Sequence, residues 1–325
     1  MREAKASESG FSIDDMRANE YLLHRHSSIH CSIRQGFVRR GAGDRQAAGS
    51  MADMKDISMK FIFAAASDRG SVRERNEDYY GIFVPETDEL VEDLGVLAVV
   101  ADGMGGHLSG AEASKKSVEV MGQVYFEGTT AAARETGRGA EAHEAPRAPT
   151  ASPVNRLRWA FLEANRQVFE TIGEGRNGMA GTTCTAAVIL PDEIHIAHAG
   201  DSRAYLLRKG AMVQLTEDHS VVGDMVRKGM LSKDEAVRHP HRNVITKAVG
   251  LRGKIEVDIM ESVPVQKGDR ILICSDGLFA MLSEDEIADV AASGTPDRAC
   301  QKLVKRAKEE GGFDNITVII AEKIA

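Results

Sequence analysis

Four aspartates stand where apolar, strand-like runs begin or end, each beside a glycine, a serine or an asparagine. They are Asp102 in Val99-Val100-Ala101-Asp102-Gly103-Met104-Gly105-Gly106-His107, Asp201 in Gly200-Asp201-Ser202-Arg203, Asp276 in Ser275-Asp276-Gly277, and Asp314 in Asp314-Asn315-Ile316-Thr317. A carboxylate at the lip of a buried strand is poorly placed for packing. Several converging there would repel one another unless a multivalent cation lay between them. Hard oxygen ligands of this kind suit Mg²⁺ or Mn²⁺. A glycine after a ligand aspartate lets the backbone turn sharply and its carbonyl approach an ion, because no Cβ intrudes. Two cations bridged by one carboxylate would acidify a shared water and hold the resulting hydroxide for attack, which is machinery for phosphoester hydrolysis.

Other phosphate and hydrolase chemistries are excluded by spacing. Gly103-Met104-Gly105-Gly106 follows a strand, but Leu108 stands where a dinucleotide fingerprint needs its third glycine. No Gly-x4-Gly-Lys-Ser/Thr loop and no Gly-x-Ser-x-Gly elbow occurs, and Arg147 replaces the second histidine that His143-Glu144 would need for a zinc helix. His195 and His198 are three apart in one strand and so face opposite ways, a poor chelating pair. His219, His239 and His241 are expected to be solvated loop residues.

The elements that would carry these residues can be read from periodicity. Phe61–Ala66 is expected to be a strand, and Leu94–Ala101 is a short continuous apolar run typical of a strand buried on both faces. Helical spacing follows, with Val118, Met121 and Tyr125 on one stripe. A second amphipathic helix has Leu157, Phe161, Ala164, Val168 and Ile172 on one face and Pro153 near its start. Thr182–Leu190, Glu193–Ala199 and Arg203–Arg208 are closely spaced strands, which favours antiparallel pairing. Helices are expected at Ser220–Lys228, after Ser232 and Ser283, each the first residue of a Ser-x-x-Glu capping box, and from Thr295-Pro296 to Gly311-Gly312. Arg270–Ser275 and Asn315–Ala321 complete the strands. Strands and helices segregate in this order, which predicts an α+β fold.

Bulk properties bound the remaining possibilities. The 325 residues are 42% hydrophobic and 28% charged, ordinary values for a chain with a real core. A net charge of −8 argues against a general nucleic-acid binder. The four cysteines, Cys31, Cys184, Cys274 and Cys300, show no paired spacing and fit a reducing, cytoplasmic setting. No apolar run approaches the length of a membrane span. Residues 1–58 lack any period and are expected to form a disordered extension, with later starts at Met51 or Met54 conceivable from the sequence. Residues 128–152 are expected to form a flexible insertion. A domain from 59 to 325 is left.

Six motifs occurring in one order carry a family resemblance. Arg73-x-x-Asn76-Glu77-Asp78, Val100-Ala101-Asp102-Gly103-Met104-Gly105-Gly106-His107, Gly181-Thr182-Thr183, Gly200-Asp201-Ser202-Arg203, Ser275-Asp276-Gly277 and Asp314-Asn315-Ile316-Thr317 resemble the bacterial type of the PPM (PP2C) metal-dependent Ser/Thr protein phosphatases. The resemblance covers about Met59 to the end of the chain. It implies a four-layer α-β-β-α sandwich of two mainly antiparallel sheets, with two Mn²⁺ or Mg²⁺ ions in a cleft at one edge. By motif, Asp102 would bridge both ions and the Gly103 carbonyl would bind one. Asp276 and Asp314 would complete the shell of the other, and Asp201 would join Asp276 in a third, weaker site. Asp78 and Glu77 would hold metal-bound waters in the outer shell. Arg73 would grip the substrate phosphate. His107 would be either the general acid or a structural histidine, since Met104 occupies the place where eukaryotic members carry theirs. Residues 220–242 resemble the family's flap.

The expected activity is hydrolysis of phosphoserine and phosphothreonine by a metal-bound hydroxide, without a phosphoenzyme. Partners would be phosphorylated proteins, Ser/Thr kinases or their substrates, met by a monomer. Two other readings remain: a non-catalytic binding module that keeps the fold, and an enzyme dedicated to one regulatory target such as an anti-sigma-factor antagonist. The intact acidic set speaks against the first, and the lack of an obvious sensor domain against the second.

Overall fold

The continuous apolar runs in this chain need cover on both faces, and two stacked sheets between helices provide it. The computed structural model describes residues 60–105, 108–127, 152–173 and 180–325. The expected extension 1–58 and residues 128–151 of the expected insertion lie outside them. One sheet orders β1 (Phe61–Asp68), β11 (Ile316–Lys323), β10 (Arg270–Cys274), β7 (Arg203–Arg208) and β8 (Ala211–Gln214). The other orders β2 (Asp78–Phe83), β3 (Val96–Met104), β5 (Cys184–Ile189), β6 (Glu193–Ala199) and β9 (Asp258–Pro264), with the two-residue β4 (Gly181–Thr182) on the end of β3. Every pairing among them is antiparallel.

Strand parity sorts the side chains into layers. In β3, Val96, Ala98 and Val100 enter the layer between the sheets, whereas Leu97, Val99 and Ala101 face outward. The outward set packs against α1 (Asp88–Leu94), α2 (Leu108–Tyr125) and α3 (Pro153–Val168). In the other sheet Ile271, Ile273, Ile319 and Ala321 point inward. Leu272, Cys274, Val318 and Ile320 meet α6 (Asp276–Phe279), α7 (Glu284–Ala291) and α8 (Pro296–Glu309). The result is the expected α-β-β-α stack. The thiols of Cys184, Cys274 and Cys300 are free and buried, as expected for the first two.

Helix starts obey the local signals. Ser152 accepts a hydrogen bond from the Asn155 amide and Pro153 occupies the first turn of α3, so Ser152 caps this helix rather than closing the insertion. Both capping boxes form, Ser232–Glu235 on α5 (Lys233–Arg238) and Ser283–Glu286 on α7. Ser220 caps α4 (Val221–Arg227). Ile172, on the apolar stripe of α3, belongs to a π turn at Phe169–Gly173 that prolongs that helix.

Five elements escape a reading of periodicity. β2 is interrupted by Gly81, α1 and α6 are only one or two turns long, and β8 and β9 have mostly exposed or half-exposed residues that leave little apolar signal. β1 and β3 also run further than their apolar cores, through Asp68 and through Met104 respectively.

Ile273 lies at the centre of the inter-sheet layer with 1% of its surface exposed. Ile273→Ala is expected to lower stability by about 2–5 kcal/mol, measured by denaturant unfolding of the purified protein.

Candidate active site

Chain topology brings the aspartates of both sheets to one end of the sandwich. Asp78 and Asp102 are direct cross-strand partners on β2 and β3, with the same parity as Tyr80 and Val100, whose side chains fill the inter-sheet layer. From the opposite sheet, Asp276 opens α6 immediately beyond β10, and Asp314 stands two residues before β11, the strand paired with β10. Asp201 lies where the chain crosses from β6 in one sheet to β7 in the other. The Asp276 and Asp102 side chains are close enough to interact. Arg73 Nη2 donates to Asp314 Oδ2 at 2.7 Å, with about half of the arginine side chain exposed. Of the expected site residues, only His107 falls outside the described residues.

Small polar side chains hold these carboxylates in place. Ser275 Oγ donates to Asp78 Oδ2 at 2.7 Å and accepts from the Thr317 amide at 2.9 Å, tying the two sheets together behind the cluster. Thr183 Oγ1 accepts from the Asp102 amide at 2.9 Å, and Thr182 Oγ1 donates to the Asp102 carbonyl at 2.8 Å. Asn315 donates to the carbonyls of Arg69 and Arg75 at 2.9 and 2.8 Å and accepts from the Glu77 amide at 2.8 Å. That one side chain clamps the loop carrying Arg73 to the start of β11. The carbonyl of Glu77 in turn receives the Ser114 hydroxyl of α2 at 2.6 Å and the Gly103 amide at 3.2 Å.

The two Asp-Gly steps differ from expectation in their cause. Neither Gly103 nor Gly277 has a positive φ, so neither is needed for a left-handed turn. A Cβ on Gly277 would lie 2.0 Å from the Asn315 carbonyl oxygen, and one on Gly103 would lie 2.2 Å from that of Gly110. These glycines permit backbone to touch backbone, which is how Asp276 reaches Asp314 and how the start of α2 closes on β3.

The cluster is electrostatically costly. Burial raises the Asp78 carboxyl to about 7, against the help of its Ser275 and Thr317 hydrogen bonds and with the charges of Asp276 and Asp314 adding to the rise. Burial and then the charge of Asp314 raise Asp276 to about 6. Asp102 is pushed well above the carboxylate range by burial, then by Asp78, Asp276, Asp201 and Asp314; Asp201 is pushed up by burial, then by Asp276 and Asp218. Asp78 Oδ1 and Asp276 Oδ1 are buried without a hydrogen-bond partner among the described residues. Among those residues, no three carboxylate or imidazole groups are already closed into a metal cage. Like charges held near one another with unused hard oxygens are nevertheless the donor set that a divalent cation suits.

The sequence profile described as "Protein phosphatase 2C" matches residues 71–311. The serine/threonine phosphatase stp of Listeria innocua is 38% identical over 258 residues, spanning 79% of this chain and 94% of that protein. The chain belongs to the protein phosphatase 2C family. Protein phosphatase PhpP of Streptococcus pneumoniae is 34% identical over 258 residues, covering 78% of this chain and 94% of its own. Among solved structures, the catalytic domain of the serine/threonine protein phosphatase PstP in complex with two manganese ions superposes with a TM-score of 0.63 at 28% identity, covering 82% of this chain and 99% of that one.

In this protein phosphatase 2C chain, one histidine departs from expectation. His219 is buried, not solvated, because its two nitrogens are both engaged. Nδ1 accepts from the Gly200 amide at 3.1 Å, so Nε2 carries the proton and donates to Asp258 Oδ2 at 2.9 Å. The ring stacks on His198 at 4.8 Å. His198 contacts Thr185 Oγ1 and the Glu217 carbonyl, and burial followed by the neighbouring His219 lowers its pKa to about 4. His195 instead accepts from the Ser262 amide, so the two strand histidines do part company. Asp218 pairs bidentately with Arg203 at 2.8 and 2.7 Å. Asp218-His219-Ser220 thus anchors the Asp201 loop to the segment that follows. Its sequence signal was three small polar or ionisable residues immediately before a helix.

Carboxyls raised by the fold bind protons more tightly in the folded than in the unfolded chain. Without cation, their contribution to stability therefore falls as pH rises from about 4 through 7. A divalent cation competes with those protons. The rise in Tm caused by Mn²⁺ over EDTA is expected to be several degrees larger at pH about 8 than at about 5.5, as read by thermal unfolding; an equal or larger rise at the lower pH would contradict the cluster's assignment.

Proposed function

We infer that the chain is a divalent-metal-dependent phosphoprotein phosphatase acting on phosphoserine and phosphothreonine. The convergence of buried aspartates from both sheets beside the half-exposed Arg73 carries this reading. In it, Asp102 with the Gly103 carbonyl, Asp276 and Asp314 hold two cations, Asp201 contributes to an optional third, and Asp78 and Glu77 support from the outer shell. When bound, the cations neutralise the clustered charge and lower the pKa of water so that it can attack phosphorus at neutral pH. The unused oxygens of Asp78 and Asp276 favour this over a non-catalytic module on the same fold.

The chain's own residues divide the remaining work. Arg73 meets Asp314 through one terminal nitrogen, which leaves the rest of its planar fork for the oxygens of a phosphate. Asn315 fixes the loop that aims it. His107 is assigned proton delivery to the serine or threonine oxygen as it leaves, a role that matters for a poor leaving group and little for an activated one. Residues 59–325 form the phosphatase domain, and phosphorylated kinases or their substrates are its partners in the cytoplasm. Among the described residues no helix is long and apolar enough to cross a membrane.

Asp276→Asn and Asp314→Asn are each expected to lower Mn²⁺-dependent phosphopeptide hydrolysis by more than about a hundredfold, with circular dichroism unchanged. Normal turnover by either variant, or full wild-type activity in EDTA, would sink the assignment. His107→Gln should slow phosphopeptide hydrolysis by about 10²-fold or more yet nearly spare para-nitrophenyl phosphate. Equal slowing of both substrates would leave His107 without the acid role.

A further inference from the structure

The charge on this chain is unevenly placed. Overall it carries 41 Lys and Arg against 49 Asp and Glu, yet residues 220–254 carry eight Lys and Arg against Asp224, Asp234 and Glu235. This basic segment begins with the flap and is fastened to the aspartate cluster. The His219 amide donates to the Gly200 carbonyl at 2.7 Å, the Thr246 amide to the His219 carbonyl at 2.7 Å, and the Val221 amide to the Val244 carbonyl at 2.9 Å, closing the flap's base beside Asp201. Further along, Val249 and Thr182 exchange backbone hydrogen bonds at 2.9 and 2.8 Å, next to the Thr182 hydroxyl that holds the Asp102 carbonyl.

Seven of these eight cations fall into two groups. Arg227 is held by Glu217 and Asp224, and Lys247 by Asp258. Lys228, Arg238, Arg242, Arg252 and Lys254 are exposed, and their side chains form neither an ion pair nor a hydrogen bond with any described residue. Elsewhere Arg166, Arg203, Arg208 and Arg270 all sit in ion pairs. Met230 and Val244, 67% and 44% exposed, lie among the five unpaired cations in sequence and offer apolar contact. Five single cations strung along 27 residues, Lys228 to Lys254, match single negative charges strung along a peptide better than one compact dianion.

We propose that this segment docks acidic side chains flanking the phosphoresidue of protein substrates, with Lys228, Arg238, Arg242, Arg252 and Lys254 as the cations that read them. A phosphate delivered to Arg73 brings its own chain past the flap's base, so carboxylates on either side of it meet these residues. Electrostatic complementarity of this kind acts on encounter and on partner choice, and it weakens with salt. The proposal rests on the phosphoprotein phosphatase reading.

The test compares kcat/KM for phosphothreonine peptides alike except for glutamate or glutamine flanks, with a third peptide carrying a second phosphate in place of the glutamates. Wild type is expected to favour the acidic peptide by about tenfold at low ionic strength and by much less at about 0.5 M salt. The Lys228→Glu/Arg238→Glu/Arg242→Glu variant should lose that preference and keep para-nitrophenyl phosphate turnover. Arg252→Glu/Lys254→Glu serves as a second variant should the first not fold. Equal wild-type turnover of the glutamate and glutamine peptides, a preference retained by a folded variant, or a preference only for the second phosphate would overturn the proposal while leaving the phosphatase reading intact. Failure to hydrolyse any of the peptides, with para-nitrophenyl phosphate still cleaved, would overturn the phosphoprotein reading and this proposal with it.

Discussion

Negative charge concentrated at one end of a buried sandwich is the constraint on which this structure turns. Asp78 and Asp102 face each other across adjacent strands, and Asp276, Asp314 and Asp201 meet them from the other sheet and from the crossover between sheets. Like charges directly opposite on neighbouring strands destabilise a sheet, and burial adds to that cost. The fold keeps them there with a dense set of neutral hydrogen-bonding groups. Ser275 serves Asp78, Thr183 and Thr182 fix the backbone of Asp102, and Asn315 locks the loop in front of Asp314. These bonds orient carboxylates without neutralising them, which leaves neutralisation to protons or to a cation.

The hydrophobic layers make that arrangement rigid. Alternate residues of β3, β10 and β11 are committed to two different apolar layers, so a one-residue slip would turn each strand inside out. Register thereby fixes where Asp102 and the residues around Asp276 and Asp314 emerge. Glycine at 103 and 277 then removes the last Cβ atoms that would hold the segments apart. The His219 ring extends the same frame outward, since it bonds the loop of Asp201 on one side and Asp258 on the other. Residues 220–249 built on that base are tied to the aspartate loops by backbone hydrogen bonds.

Much of this was legible in the sequence because chemistry and packing leave different marks. Long apolar runs announce strands covered on both faces, and an aspartate at the end of such a run stands out as something packing does not require. The Ser-x-x-Glu boxes at Ser232 and Ser283 marked helix starts that formed as read. What stayed hidden depends on contacts distant in sequence. β2 offers a short strand broken by Gly81, and its value lies in the pairing of Asp78 with Asp102. Ser275 and Asn315 were visible as motif letters, but their partners at Asp78, Arg69 and Arg75 lie some 200 or more residues away. His219 read as a loop residue because nothing local shows that Gly200 and Asp258 enclose it. The Asp-Gly steps suggested turns, whereas close approach of Asn315 and Gly110 explains them.

In the proposed function, divalent cations complete the aspartate cluster. Anomalous diffraction from crystals grown with Mn²⁺ tests it most directly. The expected result is manganese density bounded by Asp102, Asp276 and Asp314. Manganese found only elsewhere on the protein, with these three carboxylates taking no part in its coordination, would contradict it.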